Sequence, residues 1–476
     1  MKRILLPIAI LLFSVSSFAN GLKIENIRYL SKADTKGDVF VVFDLHWKNA
    51  WKNARNNDAA WVFFKFPGRN GDRHAKVAAN GHSQIDLFNE AASGIRFDVP
   101  DERTGLYVSP FANFRGDVSW RVKVRLETEG LDDRLRSVPP KVFGVEMVYI
   151  PKGPFSLGDK DPKATDYGAF YKSDSAGAPD GHIRIDSEAA IAVGPNSGSL
   201  YYKKATYVGD QSGPVPATFP KGFESFYLMK YELTQGQYAE FLNSIPDSST
   251  FSRSNFVGRS YYQNKGTIRL EGNEFIAGKP ERPMNFMTWD DGLAFADWAG
   301  LRPMTELEFT KAARGPGLPG RNEFPWGTAD TDQIARIVNS NNDLTMARHL
   351  SESDLNDETL PIFGASEYWV MDLAGSVWER VITIGSADGR AFTGSTGDGN
   401  INSKNDDWPY NDAGKKGHGY RGGGFYHQRR SEHEFNPYSP IAYRRFGGWS
   451  GGDAHMAYGF RCAGNAPSNM ENREGN

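Results

Sequence analysis

The sequence predicts an α+β protein in two parts, an N-terminal antiparallel β-sandwich over residues 20–141 and a loop-rich body with short helices over residues 142–465. Three observations carry this reading. Apolar and polar residues alternate at a period of two before Pro139-Pro140, and threonine-capped helical segments appear only after it. Counts of 51 glycines, 31 phenylalanines, 20 tyrosines and 11 tryptophans suit turns and packed rings better than long helices. At 476 residues the chain is long for one hydrophobic core, so two folded units are expected.

Residues 1–19 read as an export signal: Met1-Lys2-Arg3 is basic, Ile4 to Phe13 is apolar, and Ser17-Phe18-Ala19 is a small-x-small cleavage site. The apolar run falls short of the roughly 20 residues that span a bilayer, and no later stretch is apolar enough to cross one. A periplasmic, cell-envelope or secreted location is therefore expected. With one cysteine, Cys462, an exported chain forms no internal disulfide, so packing or metal must supply its stability. Hydrophobic residues at 39% and charged ones at 24% are ordinary for a globular protein. A net charge of −3 gives no global attraction to nucleic acid, although Arg429-Arg430 and Arg444-Arg445 form local basic clusters.

In the sandwich, Val39, Val41, Phe43, Leu45 and Trp47 alternate with Phe40, Val42, Asp44 and His46. Val118, Trp120, Val122, Val124 and Leu126 alternate with Ser119, Arg121, Lys123, Arg125 and Glu127. Turn-rich spacers such as Lys36-Gly37-Asp38 separate such strands. No catalytic residue types gather here, which suggests a binding or spacer module with Asp44 and His46 on a solvated face. Residues 159–219, rich in Gly, Ser, Asp, Pro and Tyr, read as an insertion elaborating the surface, a place where partner specificity is often carried.

Three helices follow. Thr234 caps one with Tyr238, Phe241 and Leu242 inward. Thr288 caps a second, with Asp290 and Asp291 in its first turn, Phe295 and Trp298 inward and Gly300 as its stop. Thr305 and Glu308 form a capping box for a third, which carries Glu306 and Glu308 at its positive end, Lys311 and Arg314 near the other, and ends at Gly315. Leu307 with Ala312, and Phe309 with Ala313, would grip this helix from two sides. The last residues, 466–476, read as a flexible tail.

Leu301 to Gly315, Phe324-Pro-Trp-Gly327, Asp372-Leu-Ala-Gly-Ser-Val-Trp-Glu379, Tyr420-Arg-Gly-Gly-Gly424 and Gly459-Phe-Arg-Cys-Ala463 occur in that order. Together they resemble the signature of the sulfatase-modifying-factor superfamily, whose best-known member is the formylglycine-generating enzyme. The resemblance covers roughly Val145 to Gly464, with Val145 to Gly158 similar to the family's opening hairpin, and implies a loop-dominated fold related to C-type lectins, with the 159–219 insertion as a departure.

In formylglycine-generating enzymes the glycine run leads into a cysteine pair, five apart, that binds copper and drives oxidation of a substrate cysteine. Here His427 and Glu432 take those two positions. Imidazole and carboxylate are poor substitutes for the soft thiolates that Cu(I) prefers, so the family's known mechanism is not expected; copper or iron at His427 and Glu432 is the alternative, with His418, His433, Glu434 and His455 as further donors. Cys462 reads as a buried small hydrophobe. Calcium is the metal the resemblance supports: Asp372, Leu373, Gly375, Val377 and Glu379 match a family calcium loop of carboxylates and backbone carbonyls, and Asn339 with Ser340 matches the start of a second. Trp326 and Trp378 read as core fillers. The segment from Tyr420 to Tyr458 mixes Tyr, Trp and Arg, the residue types that anchor interfaces. Tyr426, Arg429, Tyr438, Arg444, Arg445 and Trp449 are its expected ligand contacts. The sequence thus predicts an exported, calcium-stabilised binding or assembly module for a polypeptide or glycan, in contact with other envelope proteins. A divergent metal-dependent oxidase is the second reading.

Overall fold

The alternation at period two takes shape as nine strands: β1 (Lys23–Ser31), β2 (Val39–Lys52), β3 (Asp58–Phe66), β4 (Arg73–Ala75), β5 (Ser83–Leu87), β6 (Ile95–Asp98), β7 (Leu106–Pro110), β8 (Phe114–Leu126) and β9 (Lys141–Ile150). The structure is a computed structural model that describes residues 21–31, 39–68, 70–87, 93–127, 138–254, 261–334, 337–338, 344–345, 350–425 and 438–468. One four-stranded sheet runs β1-β2-β8-β5. Val41 faces Val124, Phe43 faces Val122 and Leu45 faces Trp120 across β2 and β8, and all six side chains are buried in one cluster with Val62, Phe64 and Val108 of the facing sheet. Asp44 is corrected by its surroundings. It is 3% exposed and is held by Arg121 at 2.7 and 2.9 Å and by Asn26 at 2.8 Å. Burial opposes its ionisation, but these donors outweigh burial and hold the carboxyl below its ordinary value.

β3 has both faces buried along its whole length, which its nearly unbroken apolar sequence permits. Val62 and Phe64 face the sandwich core; Ala59, Trp61 and Phe63 face the other half of the molecule. The sheet that contains β3 does not stop at the boundary. It is eight-stranded, running Arg302–Pro303, Cys462–Asn465, Phe226–Met229, β9, β3, β7, β6, with β4 paired to β3 off that path. β9 pairs with β3 on one side and with Phe226–Met229 on the other, so it belongs to both halves. Trp61 Nε1 donates to Ala299 O at 2.9 Å and Asn56 Nδ2 to Tyr368 O at 3.0 Å across the same joint.

The capping signals read from the sequence act as expected. Helix α1 (Gln235–Leu242) is capped by Thr234, and after a short α2 (Asp247–Arg253) comes α3 (Trp289–Trp298), capped by Thr288 with Asp291 completing a capping box. Helix α4 (Glu306–Arg314) has the Thr305 and Glu308 capping box, with Thr305 N donating to Glu308 Oε2 at 2.9 Å and Glu308 N to Thr305 Oγ1 at 3.1 Å. α4 is gripped on two sides, but Ala312 lies with Phe309 and Ala313 while Leu307 alone faces the larger cluster. Every residue of α4 is buried, so its charges do more than complement a helix dipole. Secondary structure is mostly strand with few, short helices. Among the described residues no helix is long and apolar enough to cross a membrane.

The 159–219 segment is corrected most. Phe170, Ile183, Ile185, Leu200, Tyr202, Val208, Val215 and Phe219 are all buried in the same cluster as Trp289, Phe295 and Trp298. Its apolar residues are scattered singly among Gly, Ser and Asp, with no period to betray them, yet each packs inward. Two small antiparallel strand pairs, interleaved along the chain, organise it: Phe155–Leu157 with Ile183–Ile185, and Tyr171–Lys172 with Leu200–Tyr201.

Candidate functional site

The glycine run Gly422–Gly424 is built against the loop that precedes strand Trp378–Ile382. Gly422 sits at φ +87°, and a Cβ there would meet Leu373 O at 2.9 Å; at Gly424 it would meet Trp378 N at 2.7 Å. Neither position admits a side chain. Gly375 N and Ser439 N both donate to Gly422 O, and Phe425 N donates to Ser376 O. The loop that supports the run is itself bent: Trp369, Asp372 and Ser376 adopt φ values of +64°, +59° and +58°. Each such left-handed, non-glycine residue costs on the order of 1 kcal/mol, and residues held this way concentrate at ligand clamps.

Of the candidate calcium residues, Asp372, Leu373, Gly375, Val377 and Glu379 lie on this loop and the strand it enters, and Glu232, which the sequence did not single out, lies against them. Glu232 is 2% exposed and Glu379 is 1% exposed. Glu232 Oε1 accepts the Val377 N–H at 3.0 Å, and Glu379 Oε1 accepts from Arg461 at 2.6 and 2.9 Å. The second oxygen of each carboxylate, Glu232 Oε2 and Glu379 Oε2, is buried without a hydrogen-bond partner. Burial drives the Glu232 carboxyl well above its ordinary value, with the charges of Asp372 and Glu379 adding to it and Arg461 opposing; burial likewise raises Glu379. Leu373, Gly375 and Val377 are buried in the same loop. Among the described residues no three His, Cys, Asp or Glu side chains converge as a ready-made cage, so a cation here would depend on backbone carbonyls as well. Glu232 could have been found from its position in Tyr231-Glu232-Leu233-Thr234, but its partners lie about 140 residues downstream.

Beside the glycine run is an aromatic surface. Trp378 and Tyr420 are buried at its base, and Tyr167, Tyr443, Phe446, Trp449 and Tyr458 are half-buried over them. Tyr167 stacks on Tyr443 at 4.4 Å, and Tyr207, 42% exposed, lies 5.5 Å from Trp449 and 5.9 Å from Phe446. Tyr167 and Tyr207 come from the insertion, so the insertion builds part of this face. Beneath it Arg380, fully buried, donates to Tyr420 Oη at 3.1 Å and to Met287 O at 2.5 Å, and lies 5.4 Å from the Tyr420 ring.

Among the expected ligand contacts, Trp449 is part of this surface and Arg445 is exposed. Tyr438 is half-buried against the Trp326 ring at 5.7 Å. Arg444 is corrected: it is fully buried, forked onto Glu306 at 2.9 and 3.1 Å, with Phe170 and Tyr202 of the insertion at 4.1 and 4.5 Å over its guanidinium. Adjacent arginines look alike in sequence, and only packing distinguishes the inward one. Tyr426, His427, Arg429, Glu432 and Asn339, together with His433, Glu434 and Ser340, lie outside the described residues. His418 is fully buried and stacked on Trp289 at 4.6 Å; His455 is half-buried beside Tyr458. Cys462 is fully buried in the strand Cys462–Asn465, where burial pushes its thiol up. Trp326 and Trp378 are buried as expected.

Comparison with known proteins places these features. The family model for the sulfatase-modifying factor enzyme 1-like domain matches residues 138–466, beginning at the boundary before β9. A formylglycine-generating enzyme of Thermomonospora curvata is 35% identical over 118 residues, covering 24% of this chain and 38% of that protein. The formylglycine-generating enzyme of Mus musculus is 26% identical over 271 residues, covering 52% and 60%. A hercynine oxygenase of Mycolicibacterium smegmatis is 32% identical over 167 residues, covering 33% and 36%. The matched stretches span at most 60% of these relatives.

Proposed function

The chain belongs to the sulfatase-modifying factor enzyme 1-like family, and from that premise we propose that it is an exported, calcium-bearing binding module that has lost the family's thiol–copper chemistry. The observation that carries this reading is the thiol inventory. The sequence has one cysteine, and that thiol is sealed in the sheet with its pKa raised by burial. A copper site built on two thiolates does not fit this chain. The lectin-like architecture implied by the resemblance, and a place at the cell envelope, are part of the same proposal.

Calcium fits better. Glu232 and Glu379, each with a buried oxygen that has no hydrogen-bond partner, together with Asp372 and the carbonyls of Leu373, Gly375 and Val377, would hold it, and a divalent cation would stabilise the carboxylate charges that burial opposes. When bound, it supplies charge neutralisation and fixes the bent loop that stitches the glycine run in place. The expected result is calcium in the purified protein, and a thermal midpoint that falls on chelation. At a free concentration a hundredfold above Kd the stabilisation amounts to about 2.7 kcal/mol. Glu232→Gln should abolish the calcium-dependent part of that midpoint and leave the calcium-free value close to that of the chelated wild type; an unchanged calcium response in the variant rejects the site.

The aromatic surface supports a ligand with flat apolar faces and hydrogen-bonding groups, a polypeptide or a glycan. Trp449→Ala and Tyr207→Ala are expected to weaken such binding by about tenfold or more each, as for aromatic residues at the centre of an interface, read on peptide and glycan arrays. Equal binding by both variants removes this face from the reading.

The second reading, a divergent oxidase, is favoured by the names of the relatives and by the His427 and Glu432 positions. Incubation with a Cys-x-Pro-x-Arg peptide, copper and oxygen, followed by mass spectrometry, separates the two. Unmodified peptide is expected. An aldehyde product, or copper or iron at one equivalent in the purified protein, would replace binding with oxidation.

A further inference from the structure

Where the sandwich meets the family domain there is a buried charged seam that the proposed function does not use. Lys230 follows the strand Phe226–Met229 and places its ammonium 3.4 Å from Glu146 of β9, 3.4 Å from Glu352 and 3.9 Å from Asp58 of β3. Lys230, Asp58 and Glu146 are 1%, 0% and 3% exposed, while the Glu352 side chain is 29% exposed and accepts from Tyr231 Oη. Asp58 Oδ1 takes the Trp51 N–H at 2.8 Å; Asp58 Oδ2 has no hydrogen-bond partner. From β8, Arg115 donates to the carbonyls of Glu352 and Leu355, and its charge is felt by Asp58, Asp354 and Glu352. The indole of Trp47 closes the seam beside Glu146.

Three carboxylates around one ammonium leave a net charge of −2 if all are ionised, or −1 with the Arg115 charge that Asp58 feels. Glu352 has solvent to stabilise its charge. Asp58 and Glu146 do not, and two ionised carboxylates in a dry site are not sustained by one shared lysine. We infer that the Asp58–Glu146 pair retains a proton at neutral pH, which makes the joint between the sandwich and the family domain a pH-responsive lock, tight in acid and loosened in mild alkali. Burial pushes Glu146 up to about 8, with Lys230 opposing and Glu352 adding to the rise; burial raises Asp58 in the same direction, against Lys230 and the Trp51 N–H. Between an unfolded glutamate value near 4.3 and the folded value near 8, the native state binds more protons than the unfolded one. Stability therefore falls as pH rises across that window and levels off above it.

The test is the thermal midpoint of the full chain from pH 6 to pH 9, with calcium in excess throughout so that its site does not contribute. Two pH units of one retained proton correspond to a fall of about 3 °C for a domain of this size, and Glu146→Gln, which keeps the shape but not the titration, should flatten it. A wild-type midpoint that does not fall, or a Glu146→Gln curve that falls as steeply, overturns the inference. Should that variant fail to fold, infrared spectroscopy of the wild type decides: a protonated-carboxyl stretch at pH 6 that titrates away near pH 8 supports the lock, and its absence at pH 6 refutes it. Amide exchange of β3 and β9, corrected for base catalysis, should quicken above pH 8 relative to β2; equal protection across the three strands would mean that the joint does not loosen.

Discussion

A chain expressed from Pro139 onward, which keeps the whole region matched by the family model from Pro139 onward, is expected not to fold. β9 would lose the partner it pairs with from Lys65↔Lys141 to Asp58↔Val148, leaving a long unpaired edge in the middle of what was a sheet. Trp61, Phe63 and Tyr107 would vanish from the cluster that contains Phe143, Trp298 and Tyr227, exposing the Phe143 and Trp298 rings now packed on Phe63 at 5.2 and 5.0 Å and the Tyr227 ring stacked on Tyr107 at 3.6 Å. Fully burying a side chain such as Phe is worth about 1.5–3 kcal/mol, so exposing several aromatic rings together forfeits several kcal/mol. Domains hold only about 5–15 kcal/mol in total. Circular dichroism and size-exclusion chromatography of the fragment should therefore show aggregate or unfolded chain. A monomeric fragment that melts cooperatively near the full-length midpoint would show that the shared sheet is dispensable.

That result would also explain why the boundary was legible and its meaning was not. Pro139-Pro140 marks the change of pattern, and alternation in β2 and β8 marks which side chains enter the sandwich core, because the other face of β8 carries half-buried polar residues; on β2 that face is partly covered, with Val42 and Asp44 buried. β3 lacks that contrast: Asp58 to Phe66 is apolar on both faces, and no local signal says that its second face serves a different core. Threonine caps were readable because a cap is made by residues three apart. Glu232 and Glu306 were not, because their partners lie far along the chain: Val377 at a separation of 145 for the one, Arg421 and Arg444 at 115 and 138 for the other. Glycine-rich sequence suggested a surface loop at 159–219, but single apolar residues between flexible ones can reach a core without any period.

Glu306→Gln is expected to destabilise the protein by about 3–5 kcal/mol, the cost of breaking a buried ion cluster by removing one partner. Glu306 is fully buried and receives Arg444 at 2.9 and 3.1 Å, Arg421 at 3.3 Å, Thr383 Oγ1 at 2.9 Å and Ile384 N at 2.9 Å. Burial opposes its charge, but Arg444 and Arg421 outweigh burial and hold the carboxyl below its ordinary value, so this contribution is present above the unfolded pKa and is lost only as pH falls below about 4. An amide keeps the shape and cannot neutralise two guanidiniums, one of which, Arg421, is already pushed down to about 10 chiefly by burial. Adding Arg444→Met removes one orphaned cation and should recover part of the loss, a coupling of 0.5–3 kcal/mol by double-mutant cycle. Denaturant midpoints decide it, and a single Glu306→Gln variant within 1 kcal/mol of wild type would show that the cluster is neutralised some other way. The consequence reaches the proposed binding face: Arg444 is the cation that Phe170 and Tyr202 clasp, and Arg444 N donates to Tyr167 O at 2.9 Å. With Glu306 neutralised, the insertion should loosen first, so protease cleavage within 159–219 and loss of the Tyr207 contribution to binding are expected before the sandwich unfolds.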